Sequence, residues 1–250
     1  MVLSSRSVDK LEEVAHQCKC LSPKSTLIVI PLDMAELTDE SGGRLENYMT
    51  ELEKKLKEHS LQGIDCLIGN AGVSSRGTAL DTSDEVLRSL MNVNFFGPVA
   101  LTKAIAKDMC KRSAGGSISV VSSVQGKLGL PLRSSYSSSK HALQGYFDSI
   151  RGELSLKGIG VNVISPGYIN TNLSINAVTA TGEKYGVSDM TTQNGMSSES
   201  AARLTLVAIA NENPDFIMAD AKTVAAIQGR IQFPNLLAKF MNQRAKNSKT

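Results

Sequence analysis

Short apolar runs alternate with longer amphipathic stretches along nearly the whole chain. The runs cover residues 2–5, 26–32, 65–69, 117–122, 161–165 and, more weakly, 215–218. Between them, residues 8–18, 45–59, 83–110, 134–157 and 198–210 carry apolar positions at helical spacing. Strand and helix in strict alternation predict a parallel sheet covered by helices on both faces. The third helical stretch opens with Thr82-Ser83-Asp84-Glu85, a capping-box pattern that fixes its start.

Two stretches break the rhythm. Residues 172–196 are rich in Thr, Asn, Ser and Gly and predict a mobile loop. From residue 233 an apolar stripe of Leu236, Leu237, Phe240 and Met241 runs among basic residues. That pattern predicts a surface helix packed on the domain, with peripheral contact to a membrane as the alternative. There is no internal repeat and no low-complexity linker. The expectation is one domain over residues 1–250, with 172–197 covering the substrate and 233–250 as a basic tail.

Composition narrows the function. A chain of 250 residues with 41% hydrophobic and 20% charged residues is long and apolar enough for a full core. Its net charge of +3 is weak and dispersed, and Trp is absent, so no nucleic-acid partner is expected. Cys18, Cys20, Cys66 and Cys110 fit neither a CxxC pair nor a zinc site, so no metal is expected and a reducing, intracellular compartment is. Cys66 and Cys110 are expected as buried thiols.

The chemistry-bearing residues sit where the apolar runs end. Tyr136 and Lys140 are four apart on a predicted helix and share a face. A phenol titrates near ~10, and a neighbouring ammonium favours the phenolate, which makes the pair a plausible proton donor to a carbonyl that receives hydride. Alone the spacing is common. Ser123, just past the strand at 117–122, could hydrogen-bond the same carbonyl oxygen. Asn70-Ala71-Gly72 ends another strand with small residues against which a flat ligand can lie. Asn94 sits mid-helix among apolar neighbours, where its side chain is expected to replace or distort a backbone bond. Pro166-Gly167 ends a further strand, and Thr171 lies on the loop that follows. Asp33 closes the second strand, where a carboxylate could accept from an adenine amine. Arg6, with Ser5 beside it, closes the first, where a guanidinium suits a phosphate.

Taken together and in order, these residues resemble the short-chain dehydrogenase/reductase family. Asn-Ala-Gly at 70–72, Asn94, Ser123, Tyr-x-x-x-Lys at 136–140, and Pro-Gly at 166–167 with Thr171 arrive in the family's sequence. The resemblance implies an α/β, Rossmann-type doubly wound parallel sheet and an NADP(H)-dependent oxidoreductase interconverting a carbonyl and a secondary alcohol. Tyr136 would be the general acid/base and Lys140 would lower its pKa and hold the nicotinamide ribose. Ser123 would orient the carbonyl, and Asn94 would hold a water in a proton relay. Asp33 and Asn70, Ala71 and Gly72 would contact the adenosine half. Pro166, Gly167, Ile169 and Thr171 would contact the nicotinamide, and Ser5 and Arg6 would favour NADP(H) over NAD(H). A homodimer through 83–110 and 134–157 is also implied, with Leu143, Tyr146, Phe147 and Ile150 offered as surplus apolar surface.

Residues 122–127, 139–142 and 165–173, continuing to Gly195-Met196-Ser197, resemble one branch of that family. Its members are associated with acyl- or alkyl-dihydroxyacetone phosphate reduction and with endoplasmic reticulum or peroxisomal membranes. A lipid or steroid carbonyl is the broader expectation. Members of the family open with a strand, a Thr-Gly-x-x-x-Gly-x-Gly turn and a helix, a unit of roughly 30 residues. This chain is expected to lack that first βα unit and with it the backbone cradle for the pyrophosphate. The alternative reading is therefore a catalytically impaired short form, or an interaction protein without catalysis.

Overall fold

The computed structural model describes residues 1–38, 42–113 and 115–247. Element follows element much as the pattern predicts. β1 (Val2–Leu3), α1 (Val8–Leu21), β2 (Ile28–Val29), α2 (Gly43–Glu58) and β3 (Cys66–Gly69) come first. Then come α3 (Asp84–Met91), α4 (Gly97–Arg112), β4 (Gly116–Val121), α5 (Ser134–Ser155) and β5 (Ile159–Pro166). β6 (Ile169–Asn170), α6 (Met190–Gln193), β7 (Met196–Ser197), α7 (Ser198–Ala210), β8 (Asp215–Met218), α8 (Ala221–Gln232) and α9 (Pro234–Asn247) complete the chain.

The central sheet is parallel throughout, in the order β3-β4-β5-β8, with Val120 opposite both Gly69 and Val163. β1 and β2 form a separate parallel pair. The two pieces share one core, in which Ile28 and Ile30 join Ile118, Val120, Val161 and Val163. Alternation along β5 sorts the faces. Val161 and Val163 point into the core under α2, α4 and α5, whereas Ile164 points to the other side with Met218 and Ala208 of α7. Polar residues occupy part of that second face, where Asn162 accepts from the Ser119 hydroxyl at 3.2 Å and donates to the Asn213 carbonyl at 2.8 Å.

Four departures from the pattern have physical reasons. The helix expected over 83–110 is broken: Ser83 caps α3 by accepting from the Val86 N–H, and residues Asn92–Phe96 then form a π-turn before α4 resumes. The expected disturbance at Asn94 is this wide turn, a rare single-turn bulge inside a helix. Residues 172–196 do not form a free loop. Val178 donates to the Ser74 carbonyl at 2.9 Å and accepts from the Arg76 N–H at 2.8 Å, and Ser83 donates to the Ala180 carbonyl at 3.0 Å. Cys66 is exposed on β3 and Cys110 is half-buried, so neither is a fully buried thiol. Finally, Leu143 and Phe147 are fully buried, and Tyr146 and Ile150 pack against the same core. The apolar surface of Leu143 and Phe147 is thus consumed within this chain, whereas Tyr146 and Ile150 stay partly exposed. No helix among the described residues is long and apolar enough to cross a membrane.

The π-turn yields a stability test. Asn94 is fully buried, and its amide serves both backbone groups of Val73. Each buried group left unpaired costs roughly 1–3 kcal/mol. Asn94→Ala is expected to lower the unfolding free energy by at least about 2 kcal/mol, read from the denaturant midpoint. An unchanged midpoint would show that the turn does not depend on the amide.

Candidate active site

The candidate residues gather at the carboxyl ends of the parallel strands, where an α/β sheet presents its ligand-facing loops. β4 runs into a short 3₁₀ turn, Val124–Gly126, whose first carbonyl partner is Ser123. That turn must lie hard against α5. A Cβ at Gly126 would stand 2.8 Å from the Lys140 carbonyl oxygen and 2.6 Å from the Ser122 hydroxyl, so only glycine lets the two approach. The approach sets Ser123 beside Tyr136. The Ser123 oxygen accepts from the Gln125 N–H at 3.1 Å, which leaves its own hydrogen for another acceptor.

Burial dominates the electrostatics. It pushes the Tyr136 hydroxyl above the ordinary phenol range, against smaller downward pulls from the Ser123 hydrogen bond and from Arg76 and Arg133. Lys140 is 4% exposed and burial lowers it to about 8. Its ammonium nitrogen donates to the Val121 carbonyl at 2.9 Å. A downward pull on Tyr136 was expected from Lys140; the pulls come from Ser123 and from two arginines that the sequence reading did not single out.

Asn94 holds the frame. Its oxygen accepts from Val73 N–H at 2.8 Å, and its two amide hydrogens go to the Val73 carbonyl and the Ser139 hydroxyl, each at 2.9 Å. Both donors are spent on the fold, so the side chain acts as a clamp. Gly72 lies over this clamp: a Cβ there would sit 3.3 Å from the Asn94 oxygen and 3.4 Å from the Lys140 nitrogen. Asn70 and Ala71 beside it are exposed. Pro166, Gly167 and Ile169 are half-buried and Thr171 exposed at the end of β5. Gly167 and Ile169 line a cavity together with Ser123 and Tyr136. Ser5, Arg6 and Asp33 lie apart from that cavity, at the carboxyl ends of β1 and β2. Arg6 and Ser5 are exposed, and the Asp33 carboxylate accepts from the Ala35 N–H at 2.9 Å.

The cavity measures about 260 Å³. Leu128, Leu130, Leu173, Ala226, Phe240 and Met241 give it apolar walls; Arg76, Arg133, Lys222 and Arg244 are its charged lining. The tail helix α9 therefore forms part of the cavity mouth, with Leu236 and Phe240 still 67% and 60% exposed.

The family model for the short chain dehydrogenase matches residues 1–182. The chain belongs to the short-chain dehydrogenase/reductase family. Among relatives, Dehydrogenase/reductase SDR family member 7B of Xenopus laevis is 40% identical over 98% of this chain and 74% of its own length. Dehydrogenase/reductase SDR family protein 7-like of Anopheles gambiae is 41% identical over 98% of this chain and 75% of its own. These are the branch to which residues 122–127, 139–142 and 165–173 point. A short chain dehydrogenase/reductase from Burkholderia phymatum in complex with NAD superposes with a TM-score of 0.77 at 18% identity, covering 94% of this chain and 85% of that one. A gluconate 5-dehydrogenase from Burkholderia cenocepacia in complex with NADP and tartrate gives 0.71 at 20%, covering 90% and 85%. At such identities the structures attest the fold alone.

In this short-chain dehydrogenase/reductase, Arg76, Arg133, Asp189 and Ser139 are additions to the sequence-derived set. Nothing in local spacing marks them. Arg76 and Asp189 are 113 positions apart, and only the folding of residues 172–196 over the site unites them.

Lys140 provides a pH test. Between pH 8 and 10.5 the folded chain holds its proton less tightly than the unfolded chain does, so this group's contribution to stability rises with pH across that window. The difference in unfolding free energy between wild type and Lys140→Met is expected to move in favour of wild type from pH 8 to 10.5. A pH-independent difference would show that Lys140 is not held in a desolvated site.

Proposed function

We propose that this chain interconverts a carbonyl and a secondary alcohol by hydride transfer with NADP(H), using Tyr136 as general acid/base. The observation that carries the reading is the Tyr136 hydroxyl, which lines one cavity with Ser123 and has Lys140 one helical turn on.

The residues fit the adenosine and nicotinamide ends of a dinucleotide in their donor chemistry. Gly72 is pressed against Asn94 and Lys140, so the strand end is a flat floor beside a buried ammonium. We assign Asp33, Asn70, Ala71 and Gly72 to the adenosine half, Lys140 to the nicotinamide ribose, and Pro166, Gly167, Ile169 and Thr171 to the nicotinamide. Ser5 and Arg6 would take the 2′-phosphate, where a guanidinium fork is suited. When bound, the cofactor supplies or accepts the hydride.

The chain's own residues do the rest. Ser123 donates to the substrate carbonyl oxygen, because its acceptor side already faces the Gln125 N–H. Tyr136, held protonated by burial, donates its proton to that oxygen as hydride arrives. The positive charges of Arg76 and Arg133 then favour the phenolate left behind. Lys140, titrating at about 8, can return a proton near neutrality. The apolar walls support a lipid-like carbonyl. With the branch resemblance, this places acyl- or alkyl-dihydroxyacetone phosphate and other lipid or steroid ketones first among substrates to test.

The test is NADPH titration followed by turnover on a ketone series. Tyr136→Phe is expected to bind NADPH but to lose roughly 100- to 10,000-fold in kcat. A folded wild-type sample that binds no dinucleotide would favour the non-catalytic reading. Arg6→Ala is expected to weaken NADPH by roughly 10-fold or more while leaving NADH little changed. Equal losses for both would remove Arg6 from the cofactor assignment.

A further inference from the structure

An arginine in the last turn of α8 reaches back to the helix that carries Tyr136. Arg230 Nη1 donates to His141 Nε2 at 2.8 Å and also to the Lys127 carbonyl. The other ring nitrogen of His141 lies 2.8 Å from the Ser137 carbonyl oxygen, one turn back on α5. A carbonyl can only accept, so Nδ1 carries the ring hydrogen and Nε2 turns its lone pair to the guanidinium. The contact therefore belongs to the neutral imidazole. His141 directly follows Lys140, so the arginine grips α5 beside the catalytic face.

The charged groups around the ring are already engaged. The Lys127 ammonium, from the 3₁₀ turn, pairs with Asp215 of β8 at 2.6 Å. Gln144 of α5 donates to the other oxygen of that carboxylate at 3.5 Å. Lys140 donates to the Val121 carbonyl, and Asp148 further along α5 pairs with Arg151 at 2.9 Å. Among the described residues no carboxylate lies within ion-pair distance of His141 or Arg230. A second proton on the ring would place an N–H and a positive charge 2.8 Å from a guanidinium nitrogen. The hydrogen bond is then lost and like charges face each other.

Apolar packing does little to hold the same elements down. α8 buries one side chain, Ile227, and α9 buries none. Yet Thr223 and Ala226 of α8, with Phe240 and Met241 of α9, line the cavity that holds Ser123 and Tyr136. Elements with so little buried apolar surface open locally at small cost, so a single polar tie weighs heavily in their position.

We propose that Arg230 and His141 form a proton-sensitive latch that keeps α8 and α9 over the mouth of the cavity, closed while His141 is neutral and released when it is protonated. Imidazoles ordinarily change charge between about pH 5 and 8, so the entrance widens toward the acid end of that range. The latch governs access to the cavity and is independent of the reaction carried out inside it.

Hydrogen exchange on the full chain tests this without any substrate, with each rate expressed as protection relative to an unstructured peptide at the same pH. In wild type the amides of residues 221–247 are expected to lose roughly 10-fold or more of their protection between about pH 8 and about pH 5.5, while those of α4 keep theirs. His141→Gln retains an acceptor but cannot take up a proton, and is expected to stay protected at both pH values. Arg230→Gln is expected to be open at both. A wild-type tail indifferent to pH overturns the latch, and so does a pH response that survives in either variant. A loss shared equally by α4 is global unfolding and overturns it too. If His141→Gln does not fold, Arg230→Gln decides alone, because that side chain is exposed.

Discussion

A single buried amide joins three segments on which every other feature of the site depends. Asn94 stands in a π-turn, and its side chain takes the place of a strand for the backbone of Val73 while holding Ser139. Ser139 in turn donates to the Tyr136 carbonyl at 2.8 Å. The exit from β3, the break between α3 and α4, and the catalytic face of α5 are therefore one hydrogen-bonded unit. A side chain that satisfies all its groups inside a core is rigid, because any movement leaves a buried polar group unpaired. This is how a residue 42 positions from Tyr136 governs where its hydroxyl lies.

The same burial that gives rigidity sets the proton chemistry. Desolvation drives both Tyr136 and Lys140 toward their neutral forms, the first up and the second down. A pair designed only by proximity would have the ammonium pull the phenol down. Here the ammonium donates to the Val121 carbonyl, and the downward pulls on the phenol come from the Ser123 hydrogen bond, Arg76 and Arg133. A protonated tyrosine among fixed positive charges suits proton donation, since the field does little for the neutral phenol and much for the phenolate.

What the sequence disclosed and what it hid follow from range. Strand ends, the start of α3, the Tyr136–Lys140 face and the disturbance at Asn94 were each legible, though the capping box points to Thr82 and the cap is Ser83. The contact of Gly126 with the Lys140 backbone was not legible. The anchoring of the 172–196 segment was hidden because polar composition says only that a stretch avoids the core. It does not say that Val178 bridges to Ser74 and Arg76. Leu143 and Phe147 were read as surplus surface for the converse reason. A wide apolar face looks the same in sequence whether it meets another subunit or its own sheet.

The tie between residues 172–196 and the strand-end loops bears on how the cavity distinguishes ligands. Two backbone bonds at Val178 fix the segment near Ser74, and the paired charges at Asp189 fix it near Arg76 and Arg133. The backbone bonds are indifferent to what enters, whereas the ion pairs are not. The apolar wall is built differently: Leu128 and Leu130 follow the Ser123 turn, while Phe240 and Met241 come from the tail helix at the mouth. Apolar contacts are non-directional and scale with area, so this wall tolerates length and branching in a ligand. Charge-assisted hydrogen bonds demand a fixed oxyanion position. The anchoring of residues 172–196 is therefore strict about geometry, whereas the apolar lining of the cavity is permissive.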